Sequence, residues 1–199
     1  MQKYYTEQTI ESIARRVLNA YDERLYCGQP SAIPIEDLIE RHGLTLEFQY
    51  LRKNARILGK TVFDTGLEAV YDMEKGQYIL FPVKAGTILI DASLCEEEAS
   101  TGRLRFTEAH ELSHWILHKD IYAGTGESAA LQPAVKETDM EIQANMLASA
   151  LLMPMPMVKR CFYQMRGGRD NQALVHAMSE VFQVSKQAMR IRLTNHNLL

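Results

Sequence analysis

Three of the six histidines fall within RFTEAHELSHWILH (105–118), where His110 and His114 bracket Glu111 in the order His-Glu-x-x-His. Four residues make about one helical turn, so on a helix both imidazoles share a face and can reach one metal ion at ~2.0–2.1 Å. With His110 at zero on a wheel of about 100° per residue, His114 falls at ~40° and Glu111 at ~100°. Phe106, Ala109, Leu112, Ile116 and Leu117 occupy the opposite arc and form a core stripe. Glu111 thus lies beside the metal-facing side without pointing straight at it. That suits a base taking a proton from metal-activated water, which is hydrolytic chemistry.

Two histidines leave a tetrahedral site one protein ligand short. His118 continues the i, i+4, i+8 series but lies ~12 Å along the axis from His110, too far to share an ion on a straight helix. Asp120 falls where a metzincin has its third ligand, but Leu117 stands in place of the glycine that would turn the chain. Glu141, in TDMEIQANMLASALLMP, is the best third ligand. On its helix Glu141, Ala144, Asn145, Ala148 and Leu152 share one face, and the two alanines allow close approach to the first helix. Asn145, one turn on, is placed to hold a ligand histidine by its free ring N–H, and His118 is expected in a similar supporting or packing role. A competing local reading makes Thr138 and Glu141 a capping box, with Glu141 folded back on the helix start. Arg105, Tyr122, Tyr163 and His176 are the candidates for a donor to the developing oxyanion, and the sequence does not choose among them.

The elements that must position these groups follow from periodicity. Residues 7–26 read as one helix and IEDLIERHG as a short second one closed by Gly43; LTLEFQYL alternates as a strand. Between 57 and 91 the segments ILGKTVFDTG, LEAVYD, GQYILFPV and GTILID are short strands separated by turns. Helices are predicted over 102–118 and 138–153, joined by a loop whose Gly124–Gly126 stretch could gate access. MPMP (153–156) stops the second helix, and the tail reads as two helices joined near FQVS. Helices, a small sheet and helices again give an α+β arrangement. The boundaries expected are 1–156 for a catalytic domain with N-terminal helices and 157–199 for a helical appendage, either separate or packed on the same domain. The tail has a helix-turn-helix flavour at Val184-Ser185, with Lys186, Arg190 and Arg192 following, but the pattern is loose, and packing or partner docking is expected rather than DNA binding.

RFTEAHELSHWILH and, 27 residues after His114, EIQANMLASALLMP together resemble the ImmA/IrrE family of intracellular gluzincin-type metallopeptidases, and GTILIDASL resembles the strand before its active helix. The likeness covers roughly 75–156; Ser113 replaces the usual glycine and Leu147 stands where phenylalanine is frequent. The resemblance implies a small zincin-like core, Zn²⁺ held by His110, His114 and Glu141, Glu111 as general acid/base, and a helix-turn-helix repressor as protein substrate. Extended peptides can pair with an edge strand beside a zincin helix, so Thr87, Ile88, Leu89 and Ile90 of GTILID are expected to bind substrate. The alternative, from another class, is a zinc-binding protein that does not cleave, such as a toxin–antitoxin component. It needs the three ligands but not Glu111.

Composition narrows the setting. With 46% hydrophobic and 24% charged residues the chain has the make-up of an ordinary globular protein. A net charge of −3 argues against non-specific nucleic-acid binding by the whole molecule. Cys27, Cys95 and Cys161 form no C-x-x-C pair and suit reduced thiols. With no apolar run of membrane-spanning length and no signal-peptide pattern at the start, the expected location is the cytoplasm.

Overall fold

The computed structural model describes residues 5–53, 57–96, 100–122 and 134–199. Three helices come first: α1 (Glu7–Tyr21), α2 (Arg24–Cys27) and α3 (Ile35–Arg41). Five strands follow: β1 (Thr45–Gln49), β2 (Gly59–Val62), β3 (Gly66–Asp72), β4 (Gln77–Val83) and β5 (Thr87–Asp91). A 3₁₀ turn, Ala92–Cys95, leads into α4 (Thr101–Tyr122), α5 (Ala134–Leu152), α6 (Met155–Met165), α7 (Asn171–Phe182) and α8 (Lys186–Asn195). The expected α+β class is what is observed.

The helix expected over 7–26 is two helices. Asp22 ends α1 in extended backbone, and its carboxylate accepts from Arg24 N at 2.9 Å, a side-chain bond that competes with helix continuation. Likewise α5 begins at Ala134, one turn before Thr138. Thr138 is therefore inside the helix rather than at its N-cap, and the capping-box reading of Glu141 is removed. The gate expected at Gly124–Gly126 lies outside the described residues. Beyond α5, Pro154 and Pro156 stop one helix and start the next, since proline fits a first helical turn.

Strand order in the main sheet is β1-β5-β2, with β5 parallel to β1 (Thr45↔Thr87) and antiparallel to β2 (Thr61↔Ile88). This corrects the expected substrate edge. Thr87, Ile88, Leu89 and Ile90 belong to the central strand, their backbone is flanked by partners on both sides, and all are buried. An edge needs unpaired backbone groups, and this strand has a neighbour on each side. Its side chains divide by face: Ile88 and Ile90 enter the main core, and Leu89 joins Val62, Val70 and Val83 in a second cluster beneath the β3–β4 ribbon. The ribbon's register sets Leu67 opposite Pro82, Ala69 opposite Leu80 and Tyr71 opposite Tyr78. Leu67, Tyr78 and Leu80 are exposed on its outer side.

The main core draws on nearly the whole chain. Ile10 and Leu18 of α1, Leu112 of α4 and Leu151 of α5 belong to it, as do Phe162 of α6, Leu174 and Phe182 of α7 and Leu193 of α8. The α7–α8 turn also bears on α4: a Cβ on Gly102 would lie 2.6 Å from Ser185 N, so only glycine permits that approach. Arg105 completes the join, donating to Gln183 O at 3.2 Å and Ile33 O at 2.5 Å.

Candidate active site

Two helices meet at the site. Small buried residues on α5, Ala144 and Ala148, let it lie close to α4. His110 Nε2 and His114 Nε2 are 3.0 Å apart, and each is 3.1 Å from a Glu141 carboxylate oxygen. Among the described residues this is the group of three whose donors converge within 4.8 Å. His114 is buried, His110 is half-buried, and Glu141 keeps about half its side chain in solvent, so the cluster opens to the surface on the α5 side.

The remaining ring nitrogens fix the tautomers. Asn145 Oδ1 is an acceptor 3.0 Å from His110 Nδ1, so that nitrogen carries the proton and Nε2 is bare. His118 Nε2 lies 3.5 Å from Gln143 Oε1 and donates to it, which leaves His118 Nδ1 to accept from His114 Nδ1 at 3.2 Å. His114 Nε2 is then bare as well. Burial, reinforced by the neighbouring His114, pulls His118 down to about 4, so its ring is neutral at physiological pH. Contacts with His110 and then His114 hold the Glu141 carboxyl well below the usual carboxylate range, and it is ionised. Burial lowers His110, yet its contact with Glu141 and the charges of Glu111 and Glu141 outweigh this and raise it, so the pocket favours a positive charge.

Two imidazole nitrogens and a carboxylate oxygen held 3.0–3.1 Å apart make an electron-rich cluster that suits a cation, a shared proton or a metal ion. Around one first-row ion with bonds of ~2.0–2.1 Å, tetrahedral ligand atoms are about 3.3 Å apart. The residues fit a single small divalent metal. Asn145 lies against His110 Nδ1 and His118 against His114 Nδ1. α4 runs straight on to Tyr122, so Asp120 stays exposed on the same helix and outside the cluster.

Glu111 is 6% exposed and turned toward β2. Thr61 Oγ1 lies 2.7 Å from Glu111 Oε2 and 2.8 Å from Glu111 O. A Cβ on Gly59 would fall 2.6 Å from Glu111 Oε1. Neither Gly59 nor Thr61 was expected from the sequence. The one available hint was a glycine inside a strand segment, which often marks a close approach of something else. Glu108, one turn before Glu111, was also missed: it is fully buried, and neither oxygen has a hydrogen-bond partner. Of the oxyanion candidates, Arg105 is committed to main-chain carbonyls, Tyr122 donates to Met140 Sδ at 3.4 Å, His176 lies 3.8 Å from Glu180, and Tyr163 is exposed on α6.

A helix carrying His-Glu-x-x-His, a carboxylate returned from the next helix and a small sheet against the first define a metal-dependent hydrolase of the zincin-like kind. The family model described as the IrrE N-terminal-like domain, Peptidase_M78, matches residues 74–194. The chain belongs to this family, and it is an ImmA/IrrE-type metallopeptidase. No curated protein matches it. Among the described residues no helix is long and apolar enough to cross a membrane.

Proposed function

We propose that the protein is a zinc-dependent endopeptidase of narrow range that cleaves a helix-turn-helix repressor in the cytoplasm, with Glu111 as general base. The observation that supports the metal assignment is the convergence of His110, His114 and Glu141 donor atoms on two packed helices. Imidazole with carboxylate is a donor set that zinc accepts, and three protein ligands leave a fourth position free for chemistry. A zinc ion bound there would polarise the scissile carbonyl and make the attacking water acidic. His110 and His114 are oriented for that role by Asn145 and His118. Glu111, flanking the ligands, takes the proton of the attacking water and returns it to the leaving amine. Three free cysteines, two of them exposed, accord with a reducing compartment.

The experiment is co-expression with repressors encoded beside the gene, comparing the parent with Glu111→Gln. That variant keeps shape and hydrogen bonding but cannot accept the proton, so it should fold, carry about one metal per chain and leave the repressor intact. Full cleavage by Glu111→Gln would end the general-base assignment. Metal binding with no cleavage by either protein would favour the non-proteolytic alternative.

A further inference from the structure

Gly59 and Thr61 occupy alternate positions of β2, so they present the same face of the strand, the one against α4. Lys60 and Val62 turn the other way: Lys60 pairs with Glu68 at 2.5 Å, and Val62 joins the cluster beneath the ribbon. Thr61 is 1% exposed, and its hydroxyl has a single proton to give. Of the two acceptors within reach, the carboxylate of Glu111 is the stronger, because a charged acceptor outcompetes a helix carbonyl. Meanwhile Oε1 occupies the space above Gly59. A Cβ there would lie 2.6 Å from Oε1, 2.8 Å from Glu111 Cγ and 2.8 Å from Thr107 Cγ2, so any side chain would expel the carboxylate from its present position.

We propose that β2 is the positioning element for the general base, with Thr61 anchoring Glu111 Oε2 and Gly59 supplying the gap that admits Oε1. A glutamate has three side-chain torsions and, unheld, spreads over several rotamers. The helix fixes only where Glu111 starts; the strand fixes where its carboxylate ends. Catalytic groups must be held to a fraction of an ångström, and a supporting residue on a rigid element is the usual means. The inference rests on the reading of Glu111 as the base and adds to it two residues that need not touch substrate.

The test uses the metal-loaded full chain. Thr61→Val keeps the shape and removes the donor; Thr61→Ser keeps the donor. With the repressor as substrate, Thr61→Val should lower kcat roughly tenfold or more at unchanged KM and metal content. Thr61→Ser should remain within about threefold of the parent, and Gly59→Ala should fall with Thr61→Val. A substrate-free arm is a double-mutant cycle in urea: Thr61→Val should destabilise the parent more than it destabilises Glu111→Ala. Should Thr61→Val not fold, Thr61→Ala carries both comparisons. Parental kcat in the valine variant, or strict additivity in the cycle, would overturn the proposal. Parental turnover by Glu111→Gln would instead sink the general-base reading, while the coupling in the cycle would stand.

Discussion

Glu108 is a carboxyl group with no hydrogen-bond partner, buried in α4 two residues before His110. Burial, with a smaller contribution from the charge of Glu36 and partial relief from Arg105, raises it to about 7. The folded chain therefore keeps a proton that the unfolded chain releases at ordinary carboxylate values. Its contribution to stability is complete below about pH 4.5 and is lost as pH rises through about 7. The shift corresponds to at most roughly 3 kcal/mol. Unfolding midpoints should thus fall as pH rises from about 4.5 to about 7, and Glu108→Gln, which cannot ionise, should flatten that dependence. Equal slopes in the two proteins would show that Glu108 does not titrate in this window.

At the scale of elements, the pairing of α4 with α5 decides whether His110, His114 and Glu141 meet. Ala144 and Ala148 are fully buried on the stripe that carries Glu141 and Asn145. Enlarging one should push the helices apart, at a typical overpacking cost of about 1–3 kcal/mol. Ala144→Leu is expected to lower both the urea midpoint and the affinity for zinc, read by titration against a chromophoric chelator. Unchanged affinity in a destabilised variant would mean that the spacing is not set there. This pairing was legible in the sequence because it is written in local spacings: histidines at i and i+4, Glu141 and Asn145 at i and i+4, and small residues on the same face. The sheet was not. Strand order depends on pairings between segments some 40 residues apart, and GTILID, last before the helix, looks like an edge until β1 returns beside it in parallel. Gly59 and Thr61 were hidden for the same reason. Their partner lies 50 residues away across a strand–helix contact that no local pattern encodes.

Taken whole, the molecule does not divide where its sequence changes character. Leu174, Met178, Phe182, Met189 and Leu193 of the last two helices are buried in the main core. Arg192 binds α8 to the rest, pairing with Glu11 at 2.6 Å and donating to Met153 O at 3.1 Å. Removing residues 171–199 would expose that core and withdraw the turn that rests on Gly102. The truncated chain should be insoluble or unfolded by circular dichroism, rather than a folded enzyme with weakened docking. A cooperative melt at the parental temperature would show the tail to be an independent appendage.

Trp115 has an optical consequence. It is the sole tryptophan, it follows His114 directly, and it stacks on Phe63 with ring centroids 5.8 Å apart while Lys119 Nζ sits 4.3 Å above its ring. Excited at the red edge of its absorption, where the nine tyrosines do not absorb, the protein therefore emits from one indole beside the His114 imidazole. Zinc, with its filled d shell, absorbs no visible light and should perturb that emission only slightly. Cobalt(II) or copper(II) in the same place would drain the excited state. Stepwise addition of cobalt(II) to metal-stripped protein should quench the fluorescence to an end point at one equivalent. His114→Ala should remove the end point, and quenching that persists in this variant would place the ion elsewhere.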